Sequence, residues 1–216
     1  MDKKIAILGL GRFGQFLTEE LSASGADVLI VDMDERLVNQ FAGLVSDAVA
    51  DDLTDPESIK KIGLSDMDLV IVSMGSSLEA SIMCVMVAKE LGVKRVIAKA
   101  ASERMGEILL RVGADEIIYP EKESAVQTAR KILSSNFLDY FSLGDDLSVI
   151  SMVPKKSWIG KSLSELRLRN RYQINVLAIR DETGALKAGI DPAMPLTAGM
   201  RILVVAERKN LNLLED

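Results

Sequence analysis

The chain has no histidine among its 216 residues. That removes the commonest general base and the commonest transition-metal ligand. A single cysteine, Cys84, excludes an internal disulfide and suits a reducing cytoplasm. Cys84 lies in an apolar helical stretch with Ile82, Met83, Val85 and Met86, where a buried structural thiol is a simpler reading than a nucleophile. No apolar run reaches the roughly 18–20 residues of a membrane span. The amino terminus, Met1-Asp-Lys-Lys-Ile5, lacks the apolar core of a secretory leader, because a strand pattern begins at once. No tyrosine stands four residues before a lysine, so no acid–base set for hydride transfer is readable.

Charge is present but uneven. The net charge is −6. Residues 145–216 carry 11 Lys and Arg against 9 Asp and Glu, and residues 1–144 carry 15 against 23. An acidic main body argues against a nucleic-acid face. Hydrophobic residues make up 48% of the chain, enough for a sizeable core.

What organises the chain is residues 5–14, Ile-Ala-Ile-Leu-Gly-Leu-Gly-Arg-Phe-Gly. An apolar strand turns through Gly9, Gly11 and Gly14 into a helical pattern. In such a G-x-G-x-x-G loop the first glycine permits the tight turn. The second admits a phosphate close to the backbone, and the third lets helix and strand approach. The helix then presents free N–H groups and its positive dipole end to an anion.

Strands of near-continuous apolar residues alternate with helices from here to about residue 119. This pattern predicts a parallel sheet covered on both faces, a doubly wound α/β fold of Rossmann type. Asp55-Pro56-Glu57 is expected to open one of the helices. A helix over 121–137 should then carry the chain out of the sheet and end in the aromatic cluster Phe137, Tyr140 and Phe141. That cluster reads either as a core-covering helix end or as a crossing onto a partner subunit. Beyond it the strands at 147–153, 174–180 and 200–206, with a short helix at 162–166 and a turn at 181–184, predict a small α+β domain. The expected division is 1–137 and 138–216.

Asp32 ends the second strand, 18 residues after Gly14. A carboxylate there accepts both hydroxyls of an adenosine ribose and repels a 2′-phosphate. Arg12, inside the loop, is placed to donate to a terminal phosphate. Phe13 and Met33, beside Arg12 and Asp32, join the candidate set. Asp51 and Asp52 follow the third strand as an adenine edge or as solvated turn acids. Met74 and Gly75 leave the fourth strand at the same crevice. Lys99 and Glu121 sit at carboxyl ends of strands, where a Lys neutralises phosphate and a Glu helps hold Mg²⁺; surface charge is the alternative for both. Arg167, Arg169 and Arg171 read as a solvated face or a binding patch.

Taken together, several short motifs resemble one family. They are Gly9-Leu-Gly-Arg-Phe-Gly14, Asp32, Val72-Ser-Met-Gly75, Val96-Ile-Ala-Lys99-Ala100 and Tyr119-Pro-Glu121-Lys122. Later in the chain come Ile159-Gly-Lys-Ser-Leu163 and Tyr172 to Arg180. The series resembles the RCK/KTN regulators of bacterial Ktr and Trk potassium uptake, with one RCK unit, as in the Ktr type. The resemblance implies a non-enzymatic cytoplasmic subunit, peripheral to the membrane through a potassium channel or transporter. It implies dimers assembling into an octameric ring that binds ATP or ADP, or NAD(H) in some members. Ribose contact falls on Asp32, γ-phosphate contact on Arg12, and the lysine of the Ala-Lys motif on Lys99. Cation binding falls on Glu121, and a polar nucleotide contact on Asp34. Cyclic di-AMP, bound in the C-terminal subdomain of some members, would meet Arg169, Ile174, Asn175 and Pro192. An NAD-dependent oxidoreductase and an RCK regulator of another membrane partner are the alternatives.

Overall fold

The computed structural model describes residues 3–133, 137–143 and 146–214. Two compact units emerge, Met1–Glu123 and Ser124–Asp216.

The first unit begins with β1 (Lys4–Leu8), buried at every position after Lys4. Its side chains alternate between two cores. Ile5 and Ile7 join Val28 and Ile30 on one face, and Ala6 and Leu8 join Leu29 and Val31 on the other. A strand covered on both faces has no need of polar alternation, which is why the sequence shows an unbroken apolar run. The chain continues through α1 (Arg12–Ala23), β2 (Asp27–Asp32), α2 (Glu35–Phe41) and β3 (Asp47–Ala50). It then crosses to the other side of β1 through α3 (Pro56–Lys61), β4 (Leu69–Val72), α4 (Leu78–Glu90), β5 (Val96–Lys99), α5 (Glu103–Arg111) and β6 (Glu116–Ile118). All six strands are parallel, in the order β3-β2-β1-β4-β5-β6. The strand order reverses between β1 and β4, so a crevice opens at their carboxyl ends.

Local chemistry fixes the helix starts. The Asp55 carboxylate accepts from the Glu57 N–H with Pro56 at the first helical position, as the sequence predicts. Ser77 and Ser102 cap α4 and α5 in the same way. Strand β3 is short, Asp47–Ala50. It starts at Asp47, because Leu44 is exposed in the turn after α2 and pairs with nothing in β2.

Helix α6 (Pro120–Leu133) follows, and the division between the two units falls within it. The helix expected over 121–137 instead spans Pro120–Leu133. Residues 137–142 form β7 (Phe137–Ser142), antiparallel to β8 (Leu147–Met152). The aromatic cluster therefore belongs to a strand and ends no helix. The physical reason is tertiary: a strand partner ten residues downstream supplies ladder bonds that helix periodicity cannot reveal.

The second unit is a five-stranded antiparallel sheet ordered β10-β9-β11-β8-β7, with β9 (Ile174–Arg180), β10 (Leu186–Lys187) and β11 (Arg201–Glu207). Burial alternates along β8 and β11, so one face carries the core. Trp158, Ile174, Ile179, Leu196 and Ile202 pack there. The indole Nε1 of Trp158 donates to the Tyr172 hydroxyl at 3.3 Å. Two short helices join the sheet where one was expected: α7 (Leu163–Leu166) and α8 (Leu168–Tyr172). Arg167 separates them in a left-handed conformation at φ +47°. Among the described residues no helix is long and apolar enough to cross a membrane.

Candidate nucleotide-binding site

A cavity of about 700 Å³ occupies the crevice above β1, β2, β4 and β5. It begins at the glycine loop. Gly9 holds φ +99°, a backbone shape that side chains disfavour. A Cβ on Gly14 would overlap the Gly9 carbonyl oxygen, so only glycine lets α1 start this close to β1. Around Gly11 the space is open. Gly11 is also the N-cap of α1 and supplies no side-chain cap. The first-turn N–H groups thus point into an open cradle, the arrangement that holds a phosphate.

Asp32 stands at the tip of β2. Its Oδ2 accepts the Leu10 N–H at 2.6 Å and its Oδ1 accepts the Asp34 N–H at 2.9 Å. These bonds aim the carboxylate at the cavity and tie the glycine loop to β2. Each oxygen keeps a second lone pair, so two ribose hydroxyls can still donate to it.

The opposite wall carries the positive charge. Lys99 ends β5 with its side chain 13% exposed, and its ammonium donates to Glu121 Oε1 at 2.6 Å. Its Nζ lies 5.9 Å from the centre of the Phe13 ring. The stem passes over Gly75, where a Cβ would come within 3.2 Å of the Lys99 Cε. Gly75 therefore makes room for Lys99 as well as lining the cavity. The Lys99 hydrogen bond holds the Glu121 carboxyl below its usual range.

Of the predicted residues, Gly9, Gly11, Asp32, Met33, Asp52, Met74, Gly75, Lys99 and Glu121 share this cavity. Asp52 accepts from the Thr54 N–H and hydroxyl, both at 2.8 Å, and these bonds lower its carboxyl pKa. Five predicted residues stand apart from the lining. Gly14 is buried behind the loop. The Asp51 carboxylate accepts the Asp52 N–H at 2.8 Å. Asp34 caps α2 and binds Arg36 through Nε and Nη2 at 3.2 and 3.1 Å, which lowers its pKa and turns its carboxylate to that task. Arg12 is exposed at the first position of α1, with no ion pair among the described residues. Phe13 is likewise outside the lining, and its ring centre lies 5.9 Å from the Lys99 ammonium.

Ser73 stands in the Val72–Gly75 motif, but the sequence assigns it no role of its own. It is buried just past β4, and its hydroxyl donates to the Gly9 carbonyl oxygen. The signal available was a small polar residue directly after four buried apolar ones.

For a metal, Glu121 has no cluster to join: the described residues contain no group of three or more acids, Cys or His that could hold one. The open cradle, the Asp32 carboxylate and the largely enclosed lysine line one cavity whose chemistry suits a nucleotide.

In the second unit a groove of about 360 Å³ is lined by Leu163, Arg167, Arg169, Ile174 and Asn175, with Ser164 and Val176 beside them. The structure thus brings Arg169, Ile174 and Asn175 together. Pro192 is outside the lining, although its carbonyl accepts the Ser164 N–H at 3.0 Å.

Comparison with known proteins identifies two family domains in the chain. Residues 5–120 match the TrkA-N domain and residues 147–216 match the TrkA-C domain. The chain is 39% identical over 180 residues to Ktr system potassium uptake protein C of Bacillus subtilis, covering 83% of this chain and 81% of that one. It is 37% identical over 210 residues to Ktr system potassium uptake protein A of Vibrio alginolyticus, covering 97% and 95%. Among solved structures, a GsuK channel bound to NAD aligns over 99% of this chain and 39% of its own, with TM-score 0.64 and 15% identity. The GsuK RCK domain aligns over 100% of this chain with TM-score 0.63 and 15% identity. The chain spans 47% of that domain's length, and at such identity the likeness is one of fold.

Proposed function

We infer function from family membership: this chain belongs to the family that joins a TrkA-N domain to a TrkA-C domain, whose relatives include the Ktr potassium uptake proteins. It is a regulatory subunit of a potassium channel or transporter, and it works by binding an adenine nucleotide. The observation that carries this reading is the cavity itself. Asp32, Gly11 at the start of α1 and Lys99 line it together, which supports a ribose at Asp32 and phosphates between α1 and Lys99.

Residues 1–137 form the nucleotide-sensing part and 138–216 a ligand-binding and dimerisation part. The ligand is ATP or ADP, with NAD(H) as the other adenine dinucleotide that Asp32 admits. Mg²⁺ or another cation at Glu121 draws its remaining ligands from phosphate oxygens. The groove at Arg167, Arg169 and Asn175 suits the phosphates of cyclic di-AMP. Homodimers assemble into an octameric ring on the cytoplasmic side of the membrane partner. A ligand moves such a ring only by binding one of its shapes better than another. Exposed Arg12 meets a γ-phosphate at the boundary between two chains.

A thermal-shift series with ATP, ADP, NAD⁺, NADH and cyclic di-AMP tests the reading, since a ligand that binds only the folded state raises its melting temperature. A clear shift with ATP or ADP is expected. Absence of a shift with every adenine nucleotide rejects the nucleotide-sensing reading.

A further inference from the structure

We propose that Glu121 is an internal competitor for the phosphate, occupying the Lys99 ammonium until a nucleotide displaces it, and so sets how strongly the site favours phosphorylated ligands. The inference rests on the nucleotide reading of the cavity.

Three placements carry it. Lys99 and Glu121 both line the cavity that the glycine loop opens into. They are bonded to each other at 2.6 Å. The pair is also asymmetric: the Lys99 side chain is 13% exposed and the Glu121 side chain 69%. A largely enclosed ammonium needs a counter-charge, because loss of hydration without a partner is costly. An exposed carboxylate needs none, because water replaces the lysine at little cost. The ion pair is therefore one-sided. Lys99 requires some anion, whereas Glu121 is free to leave.

A phosphate arriving at the first turn of α1 offers that anion. Lys99 already lies 5.9 Å from the centre of the Phe13 ring, in that same first turn. Its four-carbon stem is flexible and its three donors rotate, so it can swing from Glu121 to a phosphate without moving the strand that bears it. Gly75 leaves the stem clear of a Cβ that would stand 3.2 Å from its Cε. A nucleoside without phosphate reaches Asp32 but not Lys99, and leaves the pair closed. Discrimination between adenosine and its phosphates thus depends on the carboxylate that must be displaced.

The test is Glu121→Gln, which keeps size and removes charge. Calorimetry in EDTA, with no divalent cation, compares adenosine, ADP and ATP against wild type. ADP and ATP are expected to bind about fivefold more tightly to the variant, the upper range for an exposed ion pair. Adenosine affinity should be unchanged. Glu103→Gln, which breaks the separate exposed Glu103–Lys122 pair, is the control and should alter none of the three. A structural role for Glu121 would shift all three ligands together and overturn the proposal. Weaker ADP and ATP binding to Glu121→Gln in EDTA would overturn it too, making Glu121 a helper of the phosphate. Failure of wild type to bind any of the three ligands would instead reject the nucleotide reading beneath it.

Discussion

The Ser73 hydroxyl donates to the Gly9 carbonyl, joining the end of β4 to the end of β1 beneath the glycine loop. The two strands are neighbours in the sheet but 64 residues apart in the chain. The bond satisfies a carbonyl that the tight turn would otherwise bury, and it sits where α1 comes closest to the sheet.

Ser73→Ala is expected to cost about 1–3 kcal/mol, the usual penalty for a buried polar group left without its partner. Gly14→Ala should cost less, up to about 2 kcal/mol net. The Cβ overlaps backbone rather than a flexible side chain, and overpacking of about 1–3 kcal/mol outweighs the gain of at most about 1 kcal/mol from replacing glycine in a helix. Urea unfolding checks both. Wild-type stability in either variant would show that the loop relaxes freely.

Asp32→Asn should weaken adenosine, ADP and ATP alike by roughly 10- to 100-fold, the worth of hydrogen bonds to a charged acceptor. All three ligands share the ribose, so a uniform loss is the signature. Calorimetry that finds a loss confined to ATP would place Asp32 elsewhere than at the ribose.

Arg12→Ala removes an exposed side chain that lines no part of the cavity within its own chain. ADP affinity is expected to be unchanged, while the assembled protein loses its preference for ATP over ADP. Equal ATP-to-ADP ratios in variant and wild type, measured on the assembled form, would exclude a γ-phosphate role.

Burial pushes the Cys84 thiol up to about 12. At pH 8 only about one molecule in ten thousand then carries the reactive thiolate. Folded protein should resist alkylation by iodoacetamide at pH 8 and react within minutes in denaturant, as mass spectrometry would read. Rapid labelling of the native chain would mean that α4 opens readily.

The turn between β9 and β10 supplies a pH test. Asp181 bonds Lys187, the Thr183 hydroxyl and the Ala185 N–H, with the Lys187 bond the largest influence, and its folded pKa falls well below the ordinary carboxylate value. A depressed folded pKa contributes stability that is full above the unfolded value of about 3.9 and is lost as pH falls through the folded one. Amide exchange in the turn should therefore be as slow at pH 5 as at pH 7, after correction for intrinsic rates. Protection should drop only well below pH 4. Loss of protection near pH 5 would contradict the pairing.

Much of this was legible in the residues. The apolar runs of β1, β2 and β4, the three glycines and Asp32 are local signals, because a strand buried on both faces and a turn without Cβ atoms each constrain residue type directly. Asp55-Pro56-Glu57 announced its helix for the same reason. Strand β7 was not legible, because its pairing with β8 outweighs any preference within residues 137–142. Ser73 was not legible either, since nothing nearby in sequence shows that the Gly9 carbonyl lies above it. The Lys99–Glu121 pair belongs to the same class. Both residues could be placed at strand ends from sequence, yet their mutual bond depends on β5 and β6 lying side by side, which sets Lys99 opposite Ile118 and within reach of Glu121. Residue type and spacing thus determined the sheet, the loop and the acid at the tip of β2. Only the tertiary structure decided which charges face each other, because side chains far apart in the chain meet only once the strands and helices that carry them have packed.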